Sequence, residues 1–196
     1  MRRLLYFALI MCVATFSYAG DDAGWRHRGD EQRTLKLFDA HGNPVGPVVS
    51  YGAEDGVMLP INGALVFLPV QRISQVDVAT ATQQFSSTQL QWAANSGVFY
   101  ATSNCTGQAF VAVLDVQDGN HAAPTRPLGL VRVGSNVSLY IATNTQSQTQ
   151  NMSSFFFPFP GNATCQPMAT QPIIGWNAES TFDLTGHYPE PLKMGF

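Results

Sequence analysis

The stretch FDAHGNPVG, Phe38 to Gly46, sets Asp39, His41 and Asn43 at alternate positions, the spacing at which a loop can hold a cation. The oxygens of Asp39 and Asn43 suit a hard ion, but a histidine stands between them and no bidentate Glu closes the loop. Gly42 and Asn43 tolerate positive φ, and Pro44 restarts an extended chain. The stretch therefore predicts a hairpin turn and no metal site. His27, His41, His121 and His187 lie far apart, with no His-x-His or i, i+4 pair, so no zinc centre is expected. Neither a Gly-x-Ser-x-Gly elbow nor a phosphate-binding glycine motif occurs. Two-carboxylate chemistry on a glycan is open to Asp77, Asp115, Asp118, Glu179 and Asp183, provided that the fold brings two of them together. Asp115 and Asp118 fall in a polar loop and Asp183 at a strand end, where Asp commonly forms turns. No catalytic residue, metal or cofactor is assigned.

The elements that would position these groups begin after a leader. Arg2 and Arg3 precede an apolar run from Leu4 to Phe16, and Ser17-Tyr18-Ala19 supplies small residues at a cleavage position between Ala19 and Gly20. The run is too short for a membrane span. Met11 and the apolar residues beyond Cys12 argue against a lipid-modified cysteine. The expected order is a signal peptide over 1–19, a flexible mature N-terminus over 20–33, and a single β domain over 34–196. Without Arg2 and Arg3, eight basic residues face thirteen acidic ones, a net charge near −5 with no basic cluster, so no nucleic-acid partner is expected. Without Cys12 only Cys105 and Cys165 remain, and two thiols in an exported chain predict one disulfide.

No segment carries a helical stripe. Short runs of Val, Leu, Ile, Phe, Tyr and Thr recur between Gly, Pro, Asn and Asp. TLKLF (Thr34 to Phe38) alternates in strand fashion. VMLPINGALVFLPV predicts a hairpin turning at Asn62-Gly63, with Pro60 and Pro69 at strand ends, edges or bulges, and with Ala64 to Val70 covered on both faces. GVFYATSNCTGQAFVAVL predicts a second hairpin and LGLVRVGSNVSLYIAT a third, turning at Gly134-Ser135. SSFFFPFPGNATC reads as a core strand broken by prolines, and STFDLTG as a last short strand. DVQDGNHAAPTRP (Asp115 to Pro127) and TNTQSQTQN (Thr143 to Asn151) read as polar loops, the latter also as a solvated strand tip. Asn-x-Ser/Thr triplets at Asn104, Asn136, Asn151 and Asn162 are taken as turns. The sum is an all-β chain, an antiparallel sandwich or partly open barrel of about ten short strands.

LKLFDAHGNPVGPVV, GALVFLPV and FYATSNCTGQAFV, in that order, together with FDLTG before Tyr188 and Pro189, resemble a group of small exported bacterial β proteins. The resemblance implies bacterial export and an all-β fold, and supplies no active site. The expected role is an exported non-enzymatic structural or binding module for a protein or glycan ligand, periplasmic or extracellular. A glycan hydrolase with paired carboxylates and a subunit of a surface assembly are the alternatives. Asp118, Asn120, His121, Phe155, Phe157 and Phe159 form the expected contact surface. Intact mass of the exported protein should begin at Gly20, with two alkylations appearing only after reduction. Thiols open without reduction would remove the bridge, and an uncleaved N-terminus would place the protein at a membrane.

Overall fold

A computed structural model describes residues 34–77, 80–94, 97–113, 125–159 and 162–196, with the side chains of 157–159 and 162 left outside the description. The first sheet is built from β1 (Lys36–Phe38), β2 (Pro44–Tyr51), β3 (Glu54–Ile61), β4 (Ala64–Asp77), β5 (Thr82–Trp92) and β12 (Lys193–Gly195). Its order is β12-β1-β2-β3-β4-β5, with antiparallel pairing throughout. Asn62 (φ 50°) and Gly63 (φ 78°) turn β3 into β4, and the resulting register pairs Val57 with Leu68, Leu59 with Val66 and Ile61 with Ala64. All six side chains are buried on one face. Leu90 of β5 and Leu192, just before β12, exchange backbone hydrogen bonds of 2.9 and 2.8 Å. That bridge brings the two edges of the sheet together, so it is nearly a closed barrel.

The second sheet holds β6 (Val98–Tyr100), β7 (Phe110–Ala112), β8 (Leu128–Val133), β9 (Asn136–Ala142), β10 (Gln148–Phe159) and β11 (Asn162–Asp183). Its order is β10-β6-β7-β11-β9-β8, and β10 also pairs directly with β11. The 22-residue β11 serves three partners in turn: β10 up to Gly175, β7 from Gly175 to Asn177, and β9 from Ala178 to Asp183. Gly175 is required at the first exchange, because a Cβ there would overlap the Val111 carbonyl and stand 2.8 Å from Phe110 Cε1. The β8–β9 hairpin is the shared layer. Leu130, Val137, Leu139 and Ile141 join the barrel residues in one core, while Val131 and Tyr140 on the other face pack with Val98, Tyr100 and Ala109 in a second. Residues 34–196 form one compact unit.

Several expectations change in detail. Among the described residues there are twelve strands, and STFDLTG is the end of β11 followed by a helical turn, α1 (Leu184–His187), which Asp183 caps by accepting the Gly186 N–H at 2.9 Å. Gln148 to Asn151 begin β10 and are mostly exposed, which fits the solvated strand tip, and the polar loop before them is Thr143 to Ser147. Pro69 lies inside β4 rather than at an end or bulge; its carbonyl accepts the Ala93 N–H, so the ladder there needs no proline donor. Leu65 is 41% exposed, so β4 is fully covered on its inner face only. The hairpin from Gly97 to Leu114 keeps three residues in each strand, with a long connection from Ala101 to Ala109. The leader with Ala19 and Gly20, the segment 20–33, and Asp115, Asp118, Asn120 and His121 lie outside the described residues.

Arg132 shares a strand face with Leu130, so alternation points its guanidinium at the barrel core. There it meets Glu190 as a two-pronged fork: Nη1 to Oε2 and Nη2 to Oε1, both 2.7 Å. Nη2 also donates to the Trp92 carbonyl at 3.0 Å, Glu190 Oε1 accepts the Trp92 N–H at 2.7 Å, and the Trp92 indole donates to the Tyr188 carbonyl at 3.2 Å. Trp92 itself is fully buried. Replacing Arg132 by Met should lower stability by about 3–5 kcal/mol, because it leaves a carboxylate buried without its charge partner. Chemical denaturation of Arg132→Met, Glu190→Gln and the double variant should show the double costing less than the sum. Strict additivity would show that the two charges are not coupled.

Candidate functional site

The Phe38–Gly46 stretch is a turn. Asp39 Oδ1 accepts the N–H groups of His41 (2.9 Å) and Asn43 (2.8 Å), and Oδ2 accepts Asn43 Nδ2 at 3.1 Å. Gly42, at φ 81°, donates to the Asp39 carbonyl, and Ala40 donates to the Pro189 carbonyl, which ties the turn to the C-terminal segment. The carboxylate is thus occupied by its own loop. Burial alone would raise the Asp39 pKa, but the hydrogen bonds from Asn43 and His41, with the nearby His41 charge, outweigh it and hold the carboxyl below its ordinary value. No group of three or more His, Cys, Asp or Glu able to hold a metal occurs among the described residues.

Cys105 and Cys165 are joined, with a Cα–Cα distance of 5.9 Å. Cys105 adopts a positive φ of 55°, and its N–H donates at 2.9 Å to the Oγ of the fully buried Ser154, which in turn donates to the Thr102 carbonyl at 2.7 Å. The bridge and the serine hold the connection between β6 and β7 against β10 and β11. Phe155 stacks on Phe99 with ring centroids 5.4 Å apart, and Phe156 meets Tyr100 edge-on at 5.9 Å. Both phenylalanines are half-buried, between the expected core and contact roles. Phe157 and Phe159 lie in β10, their side chains outside the description.

Beside the disulfide lies a cleft of about 410 Å³ whose walls include Tyr100, Cys105, Gln108, Tyr140, Glu179 and Thr181. Its floor depends on a bulge in the β11–β9 ladder between Ala178 and Ser180, which leaves Glu179 as the extra residue and sets Thr181 directly across from Tyr140. Glu179 Oε1 meets Arg126 Nη1 at 3.0 Å, and the same Nη1 donates to the Ala142 carbonyl at 2.6 Å. Gln108 Nε2 donates to the Ala178 carbonyl at 2.7 Å, holding the far wall. The Tyr100 and Tyr140 hydroxyls are 3.5 Å apart. Burial, and then the neighbouring Tyr140 hydroxyl, push the Tyr100 pKa well above the ordinary phenol value, so this hydroxyl keeps its proton. Ser180 Oγ, opposite Ile141 in the register, is buried without a hydrogen-bond partner. The cleft can therefore donate and accept hydrogen bonds through neutral groups, and its sulfur is locked in a disulfide.

Of the described residues singled out for chemistry, only Cys105 and Glu179 meet at this cleft. Asp77 caps a turn at Thr80 and Asp183 caps α1, while the His187 ring packs at a tilt against Phe182. Asn104, Asn136 and Asn151 are exposed; Asn162 begins β11. Sequence reasoning missed Tyr100, Gln108, Tyr140 and Thr181. Tyr140 carried a signal, since it sits on the strand face opposite Val137, Leu139 and Ile141. No helix among the described residues is long and apolar enough to cross a membrane. Comparison with family models, curated proteins and solved structures finds no match.

A lowered Asp39 pKa contributes stability that is present above the unfolded value, about pH 4, and is lost as pH falls through the folded one. Asp39→Asn should therefore be less stable than the parent at neutral pH and lose less on acidification below about pH 4. Parallel acid unfolding curves for the two proteins would refute this role.

Proposed function

We propose that the chain is an exported bacterial protein, periplasmic or extracellular, that works as a non-enzymatic binding module for a protein or glycan. The leader-like first nineteen residues and a disulfide suited to an oxidising compartment support the export reading. The observation that carries the non-enzymatic reading is the use made of the carboxylates. Asp39 and Asp183 hold turns, Asp55 accepts the Ser50 hydroxyl, Glu190 forks with Arg132 and Glu179 pairs with Arg126. Glycoside hydrolysis by two carboxyl groups calls for a pair roughly 5–9.5 Å apart on one cleft. Glu179 is the sole carboxylate among the described residues of this cleft wall. What the frame offers instead is a largely neutral hydrogen-bonding surface whose one carboxylate is paired, a surface suited to recognition.

Incubation of the purified oxidised protein with fluorescently labelled oligosaccharides, followed by chromatography, separates the two readings. The expected result is that every labelled chain keeps its length. Shortened products that vanish in Glu179→Gln would make the protein a hydrolase and end the module reading.

A further inference from the structure

We propose that the cleft beside the Cys105–Cys165 bridge binds a neutral saccharide unit, a deepening that rests on the binding-module reading above. The volume of about 410 Å³ lies toward the lower end of the roughly 300–1,000 Å³ of small-molecule sites, which suits one or two sugar rings better than a folded partner. The described walls carry no Lys, Arg or His, so an anion would meet no cation among them. A cation would find the Glu179 carboxylate already neutralised by Arg126 at 3.0 Å. Charge thus selects against both kinds of ion and leaves an uncharged ligand.

The polar groups narrow the choice further. Tyr, Thr and Gln side chains each donate and accept, as sugar hydroxyls do, so either partner can reverse its role without leaving a group unpaired. The buried Tyr100 hydroxyl donates to the Tyr140 hydroxyl at 3.5 Å, so the Tyr140 hydroxyl keeps its own proton for a ligand oxygen. Tyr140, half-buried, adds an apolar ring beside its polar tip, which matches the mixed C–H and O–H character of a pyranose. A peptide strand is a poorer fit, because the backbones of β9 and β11 along this wall are already laddered to each other through Tyr140 and Thr181. Recognition here falls to side chains. The disulfide and the Gln108–Ala178 bond fix both walls before a ligand arrives.

The test is a ¹H–¹⁵N NMR titration of the purified oxidised chain with glucose, galactose, mannose, N-acetylglucosamine and their disaccharides. The expected result is saturable shifts at Gly107, Gln108, Tyr140 and Thr181 for at least one sugar, with millimolar affinity. Tyr140→Phe and Thr181→Ala, each removing one hydroxyl, should weaken it by about two- to tenfold. Glu179→Gln, which keeps the shape and removes the charge, should leave the preference for uncharged sugars in place. Saturable shifts confined to another surface would overturn the cleft assignment while the module reading stands. No saturable shift with any of these sugars would overturn the saccharide inference alone. A titrated sugar converted to smaller products would instead overturn the module reading.

Discussion

A charged fork inside a hydrophobic core sets the path of the chain. Arg132 is carried to the barrel interior by the alternation of β8, and a guanidinium cannot stay there unpaired. Glu190 answers it, and Glu190 can reach it only if the segment after α1 runs along the end of β5. That path places the Tyr188 carbonyl on the Trp92 indole, the Pro189 carbonyl on Ala40 and Leu192 on Leu90, and then delivers β12 to the free edge of β1. The closure of the first sheet thus follows from the position of one arginine. An apolar pair of similar volume would bury as much surface at less desolvation cost. It would not meet the N–H and carbonyl of Trp92, which the fork satisfies at 2.7 and 3.0 Å.

The second core is held by different means. β6 and β7 are three residues long and offer few ladder bonds, so strand pairing alone is a weak restraint on the connection between them. The disulfide, closing a loop with a sequence separation of 60, supplies a restraint that the chain-entropy model puts at roughly 4 kcal/mol. Ser154 and Gln108 add side-chain bonds to Cys105 and Ala178. The cleft lies where this stapled connection faces the bulged part of β11. Its Cys105 and Gln108 wall is held by these bonds, while Tyr140 stands on the hairpin shared with the barrel core.

What was legible beforehand was local. Asn62-Gly63, Gly134-Ser135 and the Asp39 loop are fixed by backbone chemistry within a few residues, and the two cysteines had only each other. The 22-residue β11 was not legible, because it contains Pro167, Pro172 and Gly175, residue types that ordinarily end or interrupt strands. They are tolerated because the strand changes partners: Gly175 is the exchange point, and the prolines stand on the stretch paired with β10 alone. Arg132 was half legible. Its place in the alternation with Leu128 and Leu130 marks a buried charge, but the alternation is silent on a partner 58 residues away. Tyr100, Tyr140 and Thr181 come from three strands, and a bulge sets their alignment. No short window contains that information.

A charge-poor chain must also keep its strand edges from pairing with neighbours without the lysines usually placed there. Here geometry takes that part. The barrel edges meet through Leu90 and Leu192, and four of the six residues of the outer strand β8 are buried. β11 carries Pro167 and Pro172, which offer no N–H, on the stretch paired with β10 alone. In the outer half of the β4–β5 hairpin the register shifts between Arg72 and Ser74, and Arg72 Nη1 turns onto the Ser86 and Ser87 carbonyls at 3.0 and 2.7 Å. Its one guanidinium occupies both carbonyls at the irregular part of the hairpin. With the edges managed by closure, proline and bulge, the exposed faces are left free to be neutral and rich in hydroxyls and amides, the kind of surface that recognises a neutral ligand.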